Sequence, residues 1–167
     1  MKTAITAAVG VLMMSSVIAQ MNVQKPIEIT LGGVWYTGDR DNADLGFLAG
    51  VDYYLGKNYN SQTMQFVGAR IHFAEDGGDN LTTYGVHYGI RYGMPANAGS
   101  TGNFYFKGAI GYYNSDIDVD DDWGLGGFAA VGWELQQNFG LEAGFQLGPS
   151  VGGVDNTSFY GAVTFRL

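Results

Sequence analysis

Beyond residue 25 the chain alternates between apolar positions and small or polar ones. A period of two is the signature of a strand whose successive side chains point to opposite faces. Eight such segments are legible: Pro26–Tyr36, Leu45–Leu55, Thr63–Phe73, Leu81–Tyr92, Asn103–Tyr113, Trp123–Leu135, Gly140–Leu147 and Thr157–Leu167. The fourth is the plainest, with Tyr84, Val86, Tyr88, Ile90 and Tyr92 on one face and Thr83, Gly85, His87, Gly89 and Arg91 on the other. The sixth sets Leu125, Ala129, Val131, Trp133 and Leu135 against Gly124, Gly126, Gly132 and Glu134. Helical periodicity of useful length is absent from this part of the chain. Segments rich in Gly, Asp and Asn separate the strands and carry turn chemistry. Pro26, Pro95 and Pro149 fall at strand starts or connections, where a missing N–H does no harm. The pattern predicts an all-β fold of eight strands.

Alternation alone fits two opposite barrels, one with its apolar face inward in water and one with that face outward in lipid. Composition separates them. The second face holds about one charge per strand and is otherwise rich in Gly, Ala, Thr and Tyr, too poor in charge for a soluble surface. The same face suits the crowded interior of a small barrel, where eight strands leave just enough room for side chains. The aromatic face therefore points out, into lipid. The strand lengths lie close to the 9–11 residues that cross a bilayer, and an even strand number completes the pattern.

Residues Met1 to Ala19 read as an export signal. Lys2 gives a positive start, Ala4 to Met14 an apolar run, and Val17-Ile18-Ala19 a cleavage-like end. The run is too short and too interrupted, by Thr6 and Ser15-Ser16, for a spanning helix. Residues 20–167 then form one barrel domain.

Charge sharpens the picture. The inward phase of the eight strands collects Glu28, Asp52, Arg70, Arg91, Lys107, Glu134, Glu142 and Arg166, one per strand, four acidic and four basic. A buried ion needs a partner, and four against four permits mutual neutralisation, so this set is read as a charge network that plugs the lumen. Tyr36, Tyr54, Tyr105, Tyr113, Tyr160 and His87 share the inner phase and offer hydrogen bonds. The remaining acids sort to one end. Asp39, Asp41, Asp44, Glu75, Asp76, Asp79, Asp116, Asp118, Asp120, Asp121, Asp122 and Asp155 make 12 of the 16 acidic residues, and all fall in the odd connections. With the amino terminus in the periplasm, these are extracellular loops. The even connections, Gly56–Gln62, Gly93–Gly102 and Gln136–Phe139, carry none.

The 27 glycines, 11 Tyr, 10 Phe and 3 Trp stand beside no cysteine and a net charge of −8. Absence of cysteine excludes disulfides, thiolate metal sites and lipid attachment through sulfur. The acidic balance makes nucleic acid a poor partner, because phosphate backbones attract clusters of Lys and Arg. Asp116, Asp118 and Asp120 stand at the first, third and fifth places of a calcium-loop pattern, but Asp121 occupies its sixth place instead of Gly and Gly127 its twelfth instead of Glu. His72 and His87 lie on strands with no nearby nucleophile, and Gly124-Leu125-Gly126-Gly127 lacks the lysine of a phosphate loop. Nothing here calls for a cofactor or a catalytic site.

The closing segment is the most specific. Phe159, Gly161, Val163, Phe165 and Leu167 alternate to the last residue, similar to the terminal-strand signal read by the barrel-assembly machinery, with Leu167 where Phe is usual and Phe165 two before it. With this, the sequence resembles the small outer-membrane β-barrel proteins of the OmpA/OmpX-like superfamily. The resemblance implies an eight-stranded antiparallel up-and-down transmembrane barrel in a Gram-negative-type outer membrane. It also implies outer-membrane lipid and lipopolysaccharide as surroundings, the assembly machinery as a transient partner, and a monomer. The leading expectation is a non-enzymatic barrel with a plugged lumen and acidic outer loops, in a structural or surface-interaction role. A narrow porin-like channel is the second reading and a lipid A-modifying enzyme the third.

Overall fold

A computed structural model describes residues 26–37, 43–55, 62–94, 102–117, 120–136, 138–151 and 153–167. The segment read as an export signal lies outside them, as do Asp39, Asp41, Asp118 and Pro95. Eight strands form: β1 (Ile27–Thr37), β2 (Gly46–Leu55), β3 (Thr63–Asp76), β4 (Asp79–Gly93), β5 (Asn103–Ile117), β6 (Asp120–Gln136), β7 (Phe139–Val151) and β8 (Val154–Arg166). Each pairs antiparallel with its chain neighbours, and β8 pairs with β1 to close the barrel. The number and order of strands are those the alternation predicts.

The register fixes the tilt. Pairing runs from Tyr36 through Ser158, Gln146, Phe128, Ala109, Gly89, Phe66 and Tyr54, and the Tyr54 N–H then donates to the carbonyl of Pro26, ten residues down the starting strand. A stagger of this size in eight strands means strongly tilted strands around an interior only as wide as the side chains that fill it.

Phase then sorts the residues. Trp35, Phe47, Ile90, Phe106, Ile110, Leu125 and Phe165 are exposed on the outside, while Glu28, Asp52, Arg70, Arg91, Lys107 and Glu142 are buried within. Beside its Gly, Ala, Thr and Tyr, the inner face also carries two large apolar rings: Phe66 and Phe128 are buried in the lumen. Both occupy inward phases, Phe66 in step with Gly68 and Arg70 and Phe128 in step with Gly126 and Ala130.

The connections differ from the sequence reading at the acidic end. β3 and β4 are joined by Gly77 and Gly78 alone, β5 and β6 by residues 118–119, and β7 and β8 by residues 152–153. Glu75, Asp76, Asp79, Asp116, Asp120, Asp121, Asp122 and Asp155 therefore belong to strands, not to loops, while Asp44 precedes β2. Hydrophobic alternation ends where the apolar band ends, but the backbone ladder continues through polar residues into tight turns. Gly77 and Gly78, at φ 64° and 101°, and Gly153, at φ 81°, take the left-handed conformations that two-residue hairpins need. At the opposite end the connections between β2 and β3 and between β4 and β5 span 56–62 and 94–102, and at the acidic end one link of similar length, 38–45, joins β1 to β2. Pro149 also departs from expectation, lying inside β7. It sits where the β7–β8 register shifts between Gly148 and Val151, an irregularity that tolerates a missing donor.

Candidate functional site: the ionic lumen

Each strand delivers one charged side chain to the interior, and the tilt brings all eight into one chain of contacts. Lys107 is at its centre, with Nζ 2.5 Å from Glu28 Oε1, 2.6 Å from Asp52 Oδ2 and 3.7 Å from Glu142 Oε2. Arg70 Nη2 meets Glu142 Oε1 at 3.1 Å from the other side. Toward the end that holds the termini, Arg166 Nε lies 3.2 Å from Glu28 Oε2 and Nη1 3.0 Å from Glu134 Oε1, and Arg91 Nη2 reaches Glu134 Oε2 at 3.2 Å. The core of this chain is wholly screened from water, whereas Glu134 and Arg166 keep part of their side chains exposed at the mouth. Four acids against four bases leave it formally neutral.

Tyrosines satisfy the carboxylates further. The Tyr54 hydroxyl donates to Glu28 Oε1 at 3.1 Å, and Tyr105 and Tyr160 donate to the two oxygens of Glu142 at 3.1 and 2.9 Å. His87 Nε2 lies 2.6 Å from Asp52 Oδ1, and its Nδ1 lies 3.2 Å from the Tyr113 hydroxyl. A neutral ring with hydrogen on Nε2 would satisfy both contacts, donating to Asp52 and accepting from Tyr113. The cations lie over rings as well: Arg91 is 3.9 Å from the centre of Tyr105, Arg70 3.4 Å from that of Phe128, and Lys107 5.0 Å from that of Phe66. Phe66 and Phe128 therefore provide the faces against which two of the cations pack.

Glycine makes the room. A methyl at Gly68 would strike the Asp52 carboxylate, the His87 ring and the Val51 carbonyl. One at Gly132 would enter the Tyr105 ring, one at Gly126 would lie 2.8 Å from the Tyr113 ring, and one at Gly144 would lie 2.8 Å from Tyr160. Part of the abundance of Gly and Tyr thus has one steric cause: the rings of Tyr105, Tyr113 and Tyr160 rest where a neighbouring strand has no side chain.

Toward the acidic end the lumen is uncharged. Asn156 Nδ2 donates to Thr83 Oγ1 at 2.8 Å and to Ser115 Oγ at 2.6 Å, and those two hydroxyls are 3.2 Å apart. Val34, Tyr36, Leu48, Leu81, Ala130 and Tyr160 form an apolar cluster in the same region. His72 and Gln146 are buried there too. The alternation places Thr83 on the inner face, and Gln146 shares that phase on the seventh segment, whereas Ser115 and Asn156 fall in segments that read as connections and gain an inward phase only from the extended ladders.

The acids at the far end are not gathered into a metal centre; among the described residues no three carboxylates or histidines are grouped to hold an ion. Of the calcium-loop pattern Asp116, Asp118 and Asp120, the middle residue lies outside the described residues and the other two fall on different strands. Asp116 is on β5 and Asp120 on β6 of one tight hairpin, with Asp116 opposite Asp121 and Ile117 opposite Asp120.

No protein-family model matches this sequence, and no curated protein is recognisably similar to it. Solved structures are similar in fold. Neisserial surface protein A, NspA, superposes with a TM-score of 0.55 at 13% identity, over 84% of this chain and 96% of that one. The Yersinia pestis outer membrane protein Ail, in a phospholipid bilayer nanodisc, gives 0.56 at 13% over 86% and 100%. A crystal structure of Ail in complex with the heparin analogue sucrose octasulfate gives 0.54 at 14% over 88% and 100%. A de novo designed transmembrane β-barrel gives 0.56 at 10% over 88% and 98%. Closed, antiparallel and eight-stranded from end to end, the chain has the fold of the small outer-membrane β-barrels.

Proposed function

We propose that this protein is an integral outer-membrane barrel with a closed lumen, non-enzymatic, acting in a structural or surface-interaction role through its acidic end. The carrying observation is the inversion of polarity. Large apolar side chains cover the outside, with Ile110 at 75% and Leu125 at 84% exposure, while eight ions fill the inside. Water would be a poor solvent for such an exterior, and hydrocarbon a good one. A band of outward apolar residues edged by aromatic girdles is how barrels of this size meet a bilayer. The export signal, the terminal-strand signal at Phe165 and Leu167, and the fold of NspA and Ail support the outer membrane as the place. With both termini in the periplasm, the acidic end faces outward.

A lumen filled by the ion chain, its tyrosines and the apolar cluster above them leaves conduction without a route. Two experiments test this. The purified barrel reconstituted in vesicles should migrate faster in SDS before boiling than after it, and unchanged mobility would overturn the membrane-barrel reading. In planar bilayers it should give no steady conductance; sustained open events would instead support the channel reading.

The surface role has a sign. Ail was crystallised with a sulfated, polyanionic ligand, but the exposed end of this barrel is rich in carboxylates. Its partners are therefore cationic.

A further inference from the structure

We infer that the lumen holds buried water in one compartment, between its ionic layer and its acidic end, and is dry around Lys107. The inference depends on the closed barrel alone and not on the role proposed for the acidic end. Two contacts cross the interior and mark the compartment off. Arg70 on β3 reaches Glu142 on β7 at 3.1 Å, with Phe128 against its guanidinium. Nearer the acidic end, Asn156 on β8 reaches Thr83 on β4 and Ser115 on β5, at 2.8 and 2.6 Å. Between these levels β3 contributes His72, two residues beyond Arg70, and β7 contributes Gln146, four beyond Glu142. His72 lies across the ladder from Thr83, and Gln146 is two residues short of Gly148, which pairs with Asn156. The two walls thus share one roof. Farther out, Leu81 and Val151 are buried as well, so the compartment is closed toward the acidic end.

Unpaired atoms concentrate here. Arg70 Nε and Nη1, His72 Nε2, Gln146 Oε1 and Asn156 Oδ1 are screened from solvent and make no hydrogen bond to another described residue. The four residues are between 1% and 3% exposed. The layer below differs: every side-chain nitrogen and oxygen of Lys107, Glu28, Asp52, His87 and Glu142 has a partner. A buried polar group without a hydrogen bond is costly. Five such atoms in one short stretch of lumen call for a common partner.

Their chemistry selects it. The two Arg70 nitrogens only donate and the amide oxygens of Gln146 and Asn156 only accept, while His72 Nε2 does either according to its tautomer. An anion suits Arg70 but is repelled by the two oxygens. A cation suits the oxygens but is repelled by Arg70, whose charge Glu142 already matches. Water donates and accepts, carries no charge, and is held inside proteins by about three hydrogen bonds to such groups. The Lys107 layer offers it none.

The test is X-ray radiolysis of the full barrel in phosphatidylcholine vesicles, in water enriched in the heavy oxygen isotope, read by peptide mass spectrometry. Water bound inside a protein is split where it sits and leaves its oxygen on the nearest ring. His72 and His87 form an internal comparison: both are buried imidazoles, but Asp52 and Tyr113 occupy both nitrogens of His87. His72 should take up heavy oxygen and His87 should stay at background. Q146L removes one acceptor, so it should cut the uptake at His72 and lower the urea midpoint. Were the atoms simply unpaired, Q146L would relieve a buried polar group and raise the midpoint. Equal uptake at His72 and His87, or a raised midpoint in Q146L, overturns the proposal. So does uptake at His72 that falls when chloride replaces gluconate at constant ionic strength, which would assign the compartment to an anion. The wild-type comparison needs no variant and decides the matter if Q146L fails to fold.

Discussion

Lys107 has three carboxylates around one ammonium; among Lys and Arg it is the nearest cation to Glu28 and Asp52, while Glu142 also meets Arg70, at 3.1 Å. Replacing it with Met keeps much of the volume but leaves Glu28, Asp52 and Glu142 crowded together. Removing one member of a buried ion set costs about 3–5 kcal/mol, and the urea midpoint of the vesicle-bound barrel should fall accordingly. Arg91→Met should cost much less, because Glu134 retains Arg166 at 3.0 Å and stays partly in water. Equal losses would contradict the geometry of the network. Glycine offers a second contrast. Gly68→Ala drives a methyl into Asp52, His87 and the Val51 carbonyl and should destabilise by about 1–3 kcal/mol. Gly108→Ala, whose nearest neighbour would be the Phe128 carbonyl oxygen at 3.8 Å, should be close to neutral in the same unfolding measurement.

Among the elements, the strands outrun the band they support. β4 and β5 have 15 residues and β6 has 17, whereas about 9–11 cross a bilayer, so the hairpins continue into water at the acidic end. There the ladder is held by backbone pairing and by the geometry of the turns. Gly77, at φ 64°, should accept Asn with little change, while Gly78→Val, at φ 101°, should lower the unfolding midpoint by the equivalent of about 1–3 kcal/mol. At the seam, β1 and β8 pair from Glu28–Arg166 to Thr37–Thr157, and Arg166 adds an ion pair to Glu28 across it. That contact closes the barrel between the first and last strands, which meet across nearly the whole length of the domain.

For the whole molecule, the net charge of −8 is an end-loaded quantity. The lumen cancels internally, so the excess acid acts from one rim. At low salt the reconstituted barrel should bind polylysine and ignore heparin, and polylysine binding should weaken steeply between 0.05 and 0.5 M salt as the rim is screened, read by surface plasmon resonance. Binding of heparin in preference to polylysine would mean that the rim is not the interacting surface.

The strand count, the inward phase of the eight charges and the segregation of acids to one end were all legible in the chain, because a period of two assigns faces without knowledge of neighbours. Glu28 and Arg166, or Arg70 and Glu142, could be placed on the same side of the wall in this way. Their partnerships could not. Which acid meets which base depends on the ten-residue stagger around the barrel, a global property that no single strand contains. The same holds for the seating of His87 and Asp52 over Gly68. The hairpin extensions escaped for a different reason: the run Asp116 to Asp122 is dense in Asp, a turn-forming composition, and only the closed ladder decided that Asp116, Ile117 and Asp120 to Asp122 are strand. Face was a matter of local periodicity; contact was a matter of tilt and closure.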